Sequence, residues 1–329
     1  MKVVDMHCDT IAEIFRSHWQ EGRTPISLEK NALHIDLERM EKSDYLLQNF
    51  ALFVHLKRVE DPFAYCMGML DCFYQEMEQY QDRIGVVRTY DDIEKNREAG
   101  KMSALLTIEE GGVCRGDLAL LRDFYRLGAR MMTLTWNFDN ELAHPNHVDM
   151  TTGKTVPNVT EGLTEKGIAF VQEMERLGMI VDVSHLGDAG IYDVLHYTTK
   201  PFVASHSNAR SVCSHPRNLT DDMIRRLAEK GGVTGINFCA SFLDEQEDSS
   251  KCFGSIERIL AHIRHIKNVG GIDCIGLGTD FDGIGSNIEV LGAGKMPLLA
   301  QAMEKAGFTT EEIEKVFYKN VLRVYKEIL

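Results

Sequence analysis

Short runs of aliphatic and β-branched residues alternate with stretches of helical periodicity along nearly the whole chain. Runs near residues 2–6, 49–54, 103–108, 131–135, 179–184, 201–205, 233–237 and 274–278 lack the polar alternation of a half-exposed strand and read as strands buried in a parallel sheet. Between them, the spacing predicts helices over 61–80, 117–127, 164–177, 187–196, 220–230 and 254–268. Leu118, Leu121, Phe124, Tyr125 and Leu127 follow helical spacing behind Asp117, the expected N-cap. Thr220 or Asp221 caps another helix, with acid in its first turn. The tail, 296–329, reads as two or three helices, one capped by Thr309 or Thr310 with Glu311 and Glu312 behind it. Strand–helix alternation implies parallel strands joined by right-handed crossovers. Eight such strands predict an α/β fold, a (β/α)8 (TIM) barrel with extra C-terminal helices, forming one domain over 1–329, a length within the range of barrels.

Polar residues stand at the ends of five runs. His7-Cys8-Asp9 ends the first, Glu109 a second (104–108), His185 a third (179–184), His206 a fourth (201–205) and Asp280 a fifth (274–279). An open doubly wound sheet usually carries its ligand at one switch point, whereas polar ends on five strands favour a closed barrel with a site at its C-terminal face. No glycine-rich phosphate loop follows a strand; Gly276-Leu277-Gly278 lies within one and matches a nucleotide motif weakly. The loop 136–160 is long and polar, a feature that often carries function.

These residue types suit two zinc ions and a hydrolytic water. His7 and Asp9 alternate, so their side chains share a face. Glu109 or its neighbour Glu110 could bridge two metals through its two oxygens. His185 and His206 each follow a strand and a serine, 21 residues apart, about one helix-plus-strand unit. Asp282, beside Gly283, reads as a turn aspartate, leaving Asp280 for chemistry.

Charge and cysteine content narrow the partners. A net charge of −14 argues against nucleic acid or an anionic membrane. Eight cysteines without a CxxC pair or regular framework read as reduced, mostly buried thiols. No basic segment precedes an apolar stretch, and no run reaches 18 apolar residues, so neither a secretory signal nor a membrane span is expected and the cytoplasm is the expected location.

Asp5-x-His7-x-Asp9, Glu109 with Gly111-Gly112, Ser184-His185, Ser205-His206-Ser207, Arg217-Asn218 and Gly278-Thr279-Asp280-Phe281-Asp282-Gly283 occur in an order and spacing that resemble the membrane (renal-type) dipeptidase family, peptidase family M19, within the amidohydrolase superfamily. The resemblance runs nearly end to end. It implies a zinc-dependent dipeptidase that cleaves free dipeptides, including those with a C-terminal D-residue, with a metal-activated bridging water. It implies two zinc ions, one held by His7, Asp9 and Glu109, the other by Glu109, His185 and His206. The spacing from Glu109 to Leu134-Thr135-Trp136 fits the family without a gap, which assigns the bridge to Glu109 over Glu110. Asp280 would move the proton and contact the amino end of substrate. Arg217 would grip the C-terminal carboxylate, although without the resemblance it reads as a surface loop arginine.

Two departures stand out. Trp136 replaces a substrate-contacting histidine of renal-type members, so His144 and His147 become substitute candidates. Cys8 replaces asparagine between two ligands; its alternation points it away from them, as a packed thiol. The secretory signal, lipid-anchor tail and disulfide framework of the animal enzymes are not evident, as in a soluble bacterial-type relative, and a homodimer is compatible with the family. An N-acyl amino acid or other small-amide hydrolase with the same metals is the alternative that Trp136 keeps open. A barrel that binds metal without turnover is a further one.

Overall fold

The computed structural model describes residues 1–19, 22–151, 154–246 and 248–329. Its strands are β1 (Val3–Asp5), β2 (Tyr45–Phe53), β3 (Ile84–Val87), β4 (Met102–Glu109), β5 (Met131–Thr133), β6 (His147–Val148), β7 (Thr155–Val156), β8 (Ile180–Asp182), β9 (Val203–Ala204), β10 (Val233–Ile236) and β11 (Ile275–Leu277). Eight of them close a parallel barrel in the order β1-β2-β4-β5-β8-β9-β10-β11, and Asp5 opposite Leu277 joins the last strand to the first. These are the eight predicted strands, with β2 starting earlier than expected. One edge of β4 pairs with β2 along its length, while its other edge takes β3 at Met102–Leu105 and β5 at Thr107–Glu109. β3 is therefore an outer strand that the sequence reading did not anticipate.

The six predicted helices form over Pro62–Gln79, Leu118–Arg126, Glu165–Leu177, Asp188–Tyr197, Asp221–Glu229 and Ile256–Gly270. Asp117 accepts the Ala119 N–H, Thr220 the Met223 N–H, and Thr309 closes a capping box with Glu312, which resolves each cap. Among the described residues, four α-helices were not predicted: α1 (Thr10–Trp19), which starts directly after Asp9, and the segments Leu37–Lys42, Tyr90–Glu98 and Ala240–Leu243. In the loop 136–160, β6 and β7 form a small antiparallel hairpin; Thr152 and Gly153 lie outside the described residues.

The tail ends in the helix Asn320–Ile328, whose Val321, Val324 and Tyr325 pack with Val4, Met6, Leu105, Met131 and Val233 in one buried cluster. The Asn49 amide donates to the Tyr325 hydroxyl at 2.7 Å, satisfying a polar side chain inside the barrel wall. This apolar plug fills one end of the barrel and leaves the other to the polar strand ends. All eight cysteines are free, six of them buried. No helix among the described residues is long and apolar enough to cross a membrane.

His262, fully buried on Ile256–Gly270, ties the segment after β9 to the core: its Nδ1 accepts the Ala209 N–H at 3.1 Å and its Nε2 donates to the Leu243 carbonyl at 3.3 Å. Burial lowers its pKa to about 4, so the fold holds it neutral. The unfolded chain then binds one more proton between the two pKa values, and this contribution to stability, present at neutral pH, is lost as pH falls from about 6.5 to about 4. His262→Gln is expected to be about 1–2 kcal/mol less stable than wild type at pH 7, with the gap closing over that window. Thermal melts of both proteins across pH check this; a constant gap would contradict it.

Candidate metal centre and cleft

The register of the barrel levels the strand ends. Glu109 is the last residue of β4, opposite Phe53 of β2 and Thr133 of β5, and Thr133 lies opposite Asp182 of β8. His7 and Asp9 follow β1, His185 follows β8, His206 follows β9 and Asp280 follows β11. Backbone bonds Asp280 N–H to His7 O and Asp9 N–H to Phe281 O continue the β1–β11 pairing past the strands and hold these residues together. Asp5 strengthens that seam, accepting the Thr279 N–H at 2.9 Å and the Thr279 hydroxyl at 2.6 Å.

Backbone strain marks the same rim. His185 (φ 70°), Asp280 (φ 62°), Asp282 (φ 70°) and Glu110 (φ 109°) all adopt the positive φ that L-residues disfavour. Two glycines permit the close packing beneath: a Cβ on Gly278 would lie 1.7 Å from the Ser205 carbonyl oxygen, and one on Gly283 would lie 2.2 Å from Asp9 Oδ2.

Three imidazoles and three carboxylates converge there. Glu109 divides its oxygens: Oε2 lies 3.3 Å from His7 Nε2, while Oε1 lies 3.0 Å from His185 Nε2 and 3.9 Å from His206 Nε2. His7 Nε2 is also 3.6 Å from Asp9 Oδ2 and 3.9 Å from Asp280 Oδ1. Two overlapping groups, His7/Glu109/His206 and His7/Asp9/Asp280, each present donor atoms close enough to hold one metal ion. Glu110 faces elsewhere: its carboxylate accepts from the Gly112 and Trp136 N–H groups and the Asn140 amide, and so fixes the loop after β5.

The protonation pattern fits metal. His206 Nδ1 donates to Ser205 Oγ at 2.7 Å, and that hydroxyl donates to Asp182 Oδ2 at 2.5 Å. His185 Nδ1 donates to Asn137 Oδ1 at 2.9 Å. Both rings therefore carry their proton on Nδ1, and their Nε2 lone pairs face each other only 2.9 Å apart. That contact repels unless a cation draws on both. Burial lowers the pKa of His185 to about 4, helped by Arg217, and burial with the neighbouring His7 lowers that of His206 well below the usual histidine value. Neither imidazole escapes the repulsion by taking up a second proton at neutral pH. His7 Nε2 and Asp9 Oδ1 are buried without any hydrogen-bond partner, a costly state that a cation would relieve.

Asp182 organises the outer shell. Besides Ser205 Oγ it accepts the Ser184 and Ser205 N–H groups and the Thr133 hydroxyl. Such outer partners fix the orientation and tautomer of a metal-binding histidine. Ser205→Ala is expected to bind divalent metal roughly 10–100-fold more weakly, measured by competition with a chelator. Unchanged affinity would show that the Asp182–Ser205–His206 chain is only structural.

The cleft above these residues has a volume of about 410 Å³, within the range of small-molecule sites. Trp136 lines it, its ring 5.0 Å from Phe53 and 6.0 Å from His185. Arg217 is only 7% exposed, which corrects the expectation of a surface arginine drawn from the residue alone; its Nη atoms lie 3.4 Å from Ser207 Oγ and from the His206 carbonyl, and its Nε has no partner. Cys8 is buried and donates to the Asn49 carbonyl, as a packed thiol. Asp282 accepts the Thr10 hydroxyl and the His34 N–H, a structural role. His144 and His147 do not line the cleft: the first pairs with Asp139, the second lies near Glu161.

Sequence reasoning missed Asn137, Asn237, Glu13 and Arg16. Asn237 donates to Asp280 Oδ2 at 2.9 Å. Its position just past β10 was a usable signal, since that strand end was the next around the barrel. Glu13 and Arg16 line the cleft from α1, an unpredicted helix.

The same architecture recurs in known proteins. The model of the membrane dipeptidase family (peptidase family M19) matches residues 1–329. The chain is 31% identical over 305 residues to dipeptidase tcpJ of Claviceps purpurea (strain 20.1), covering 90% of this chain and 69% of that protein. The crystal structure of dipeptidase AC, a family M19 metallopeptidase, superposes with a TM-score of 0.89 at 28% identity, over 100% of this chain and 98% of that one. A metallopeptidase from Rhodobacter sphaeroides, liganded with a phosphinate mimic of the dipeptide L-Ala-D-Ala, gives a TM-score of 0.87 at 25% identity, over 100% and 99%. With a family match spanning every residue and a cluster able to hold metal at the barrel mouth, the chain belongs to the membrane dipeptidase family, peptidase family M19, and is a hydrolytic metallo-dipeptidase.

Proposed function

We propose that the cleft hydrolyses free dipeptides, including those with a C-terminal D-residue, using two zinc ions. His7, Asp9 and Glu109 would hold one ion, and Glu109, His185 and His206 the other. The observation that carries this is the pair of Nε2 lone pairs of His185 and His206, 2.9 Å apart, beside a Glu109 carboxylate whose two oxygens face different imidazoles. His7 Nε2 can serve one ion only, and the division of Glu109 supports pairing it with Asp9. When bound, the ions supply an acidified water and polarise the scissile carbonyl.

The rest falls to the chain. Asp280, held by Asn237, takes the proton of the attacking water and passes it to the leaving amine. Burial pushes the Asp280 carboxyl up to about 7, with Asp9 and Glu109 acting in the same direction and His7 against them, and bound cations beside it would draw it back toward the ionised form that accepts a proton. Arg217, buried beside His206 with an unpartnered Nε, presents a fork for the C-terminal carboxylate of substrate. Trp136 and Phe53 wall the cleft with apolar surface. The D-residue element draws on the ligand of the Rhodobacter sphaeroides relative.

The test is hydrolysis of a small panel by zinc-loaded protein: L-L, L-D and glycyl-D dipeptides beside N-acetylated controls. Cleavage of free dipeptides alone is expected. Cleavage of the acetylated compounds instead would turn the reading to an acyl-amino-acid hydrolase, and no turnover with metal bound would sink both.

A further inference from the structure

A second cavity, of about 480 Å³, opens beside the cleft between α1 and the segment after β2. Arg16 and Phe53 line both spaces and so form their common wall. The Arg16 guanidinium carbon lies 5.7 Å from the centre of the Phe53 ring. Arg23, Arg58 and His55 complete the polar lining, Tyr65 and Trp19 supply aromatic surface, and among the described residues no carboxylate lines it. Arg16 and Arg23 share a single acid, Glu13. Arg58 is exposed and makes no ion pair among the described residues. Of the two acids that follow in the chain, Asp61 is engaged by Arg115 at 2.6 Å, and Glu60 lines neither space. Among the described residues, the three guanidiniums lining this cavity have one ion-paired carboxylate, Glu13, with Asp9 acting on Arg16 from the cleft side, in a protein whose net charge is −14.

We infer that this cavity is a subsite for an acidic side chain on the amino-terminal residue of the dipeptide. The inference rests on the dipeptidase reading and on its placement of the C-terminal carboxylate at Arg217. Arg217 stands at the His206 side of the cluster, while Arg16 lines the cleft with Asp9 and Glu13. A dipeptide anchored at Arg217 therefore sends its other residue toward Arg16. An aspartyl or glutamyl carboxylate arriving there meets guanidinium forks that can bond it in pairs, and its methylenes pack on Phe53. A neutral side chain gains only the apolar contact.

The decisive comparison is L-Glu-L-Ala against its neutral isostere L-Gln-L-Ala, with L-Ala-L-Ala and L-Ala-L-Glu alongside, using metal-loaded wild type, Arg16→Gln and Arg58→Gln. The glutamyl peptide is expected to lead the glutaminyl one in kcat/KM by about tenfold at low salt, with the ratio shrinking in ~1 M salt as screening shortens the reach of charge. Either substitution should lower the ratio by roughly threefold or more, a readout that a general loss of activity would leave alone. Equal or faster cleavage of L-Gln-L-Ala overturns the subsite while the dipeptidase reading stands. So does an acid preference that appears only at the carboxyl-terminal residue, or one that survives both substitutions. Failure to cleave any of the four peptides removes the functional reading itself, and this inference with it.

Discussion

Glu109→Gln is expected to lower bound zinc from two equivalents to one or none and to reduce kcat/KM by roughly a thousandfold or more. The amide keeps the size of the side chain and one acceptor oxygen but loses the second anionic oxygen. Each oxygen has separate work in the wild type, one facing His7 and the other His185. With Glu109 neutral, the negative charge among the three imidazoles is left to Asp9 and Asp280, both of which lie on the His7 side. An ion held between His185 and His206 would then have two neutral nitrogens and no carboxylate, so its binding should weaken most. Metal analysis after exhaustive dialysis, together with steady-state kinetics, measures both effects. Two equivalents retained, with activity within tenfold of wild type, would show that Glu109 does not bridge.

Asp280→Asn separates binding from proton transfer. Its expected signature is the opposite split: both zinc ions retained, KM little changed, and kcat lowered by about 10²- to 10⁴-fold. The Asn237 amide donates to Asp280 Oδ2, and an asparagine oxygen can still accept that bond, so the position stays anchored. What disappears is a group that can take a proton from water and return it to an amine. Asp280 also belongs to one of the two groups able to hold a metal ion. Loss of one equivalent of zinc on substitution would therefore reassign it from proton carrier to ligand. The two variants together distinguish the roles, because one should move metal content and rate while the other moves rate alone.

Much of this was legible in the chain because barrel strands are locally encoded. Each carries a short apolar run buried on both faces, and all eight were found by pattern alone, with the imidazoles and carboxylates at their ends. Helix caps at Asp117, Thr220 and Thr309 were equally readable, since a cap needs only its own first turn. The outer strand β3 and the helix Tyr90–Glu98 were missed for the converse reason. β3 is half-buried and pairs with β4 alone, and the helix buries only Ile93, so neither carries a strong apolar signal.

By itself, then, the sequence determined which strand-end imidazoles and carboxylates reach the barrel mouth, since strand order, alternation and a terminal polar residue are properties of contiguous segments. Tertiary structure alone decided what those residues do to one another. Glu109 and Glu110 are neighbours of the same type, and only the left-handed φ of Glu110 turns its carboxylate into the loop while Glu109 faces the imidazoles. Arg217 is buried because the segment after β9 folds back over His206. The tautomers of His185 and His206 follow from Asn137 and Ser205, and the basic side cavity from α1 lying against the segment after β2. Each of these depends on the meeting of segments far apart in the chain or on one backbone angle, neither of which leaves a periodic trace in the order of residues.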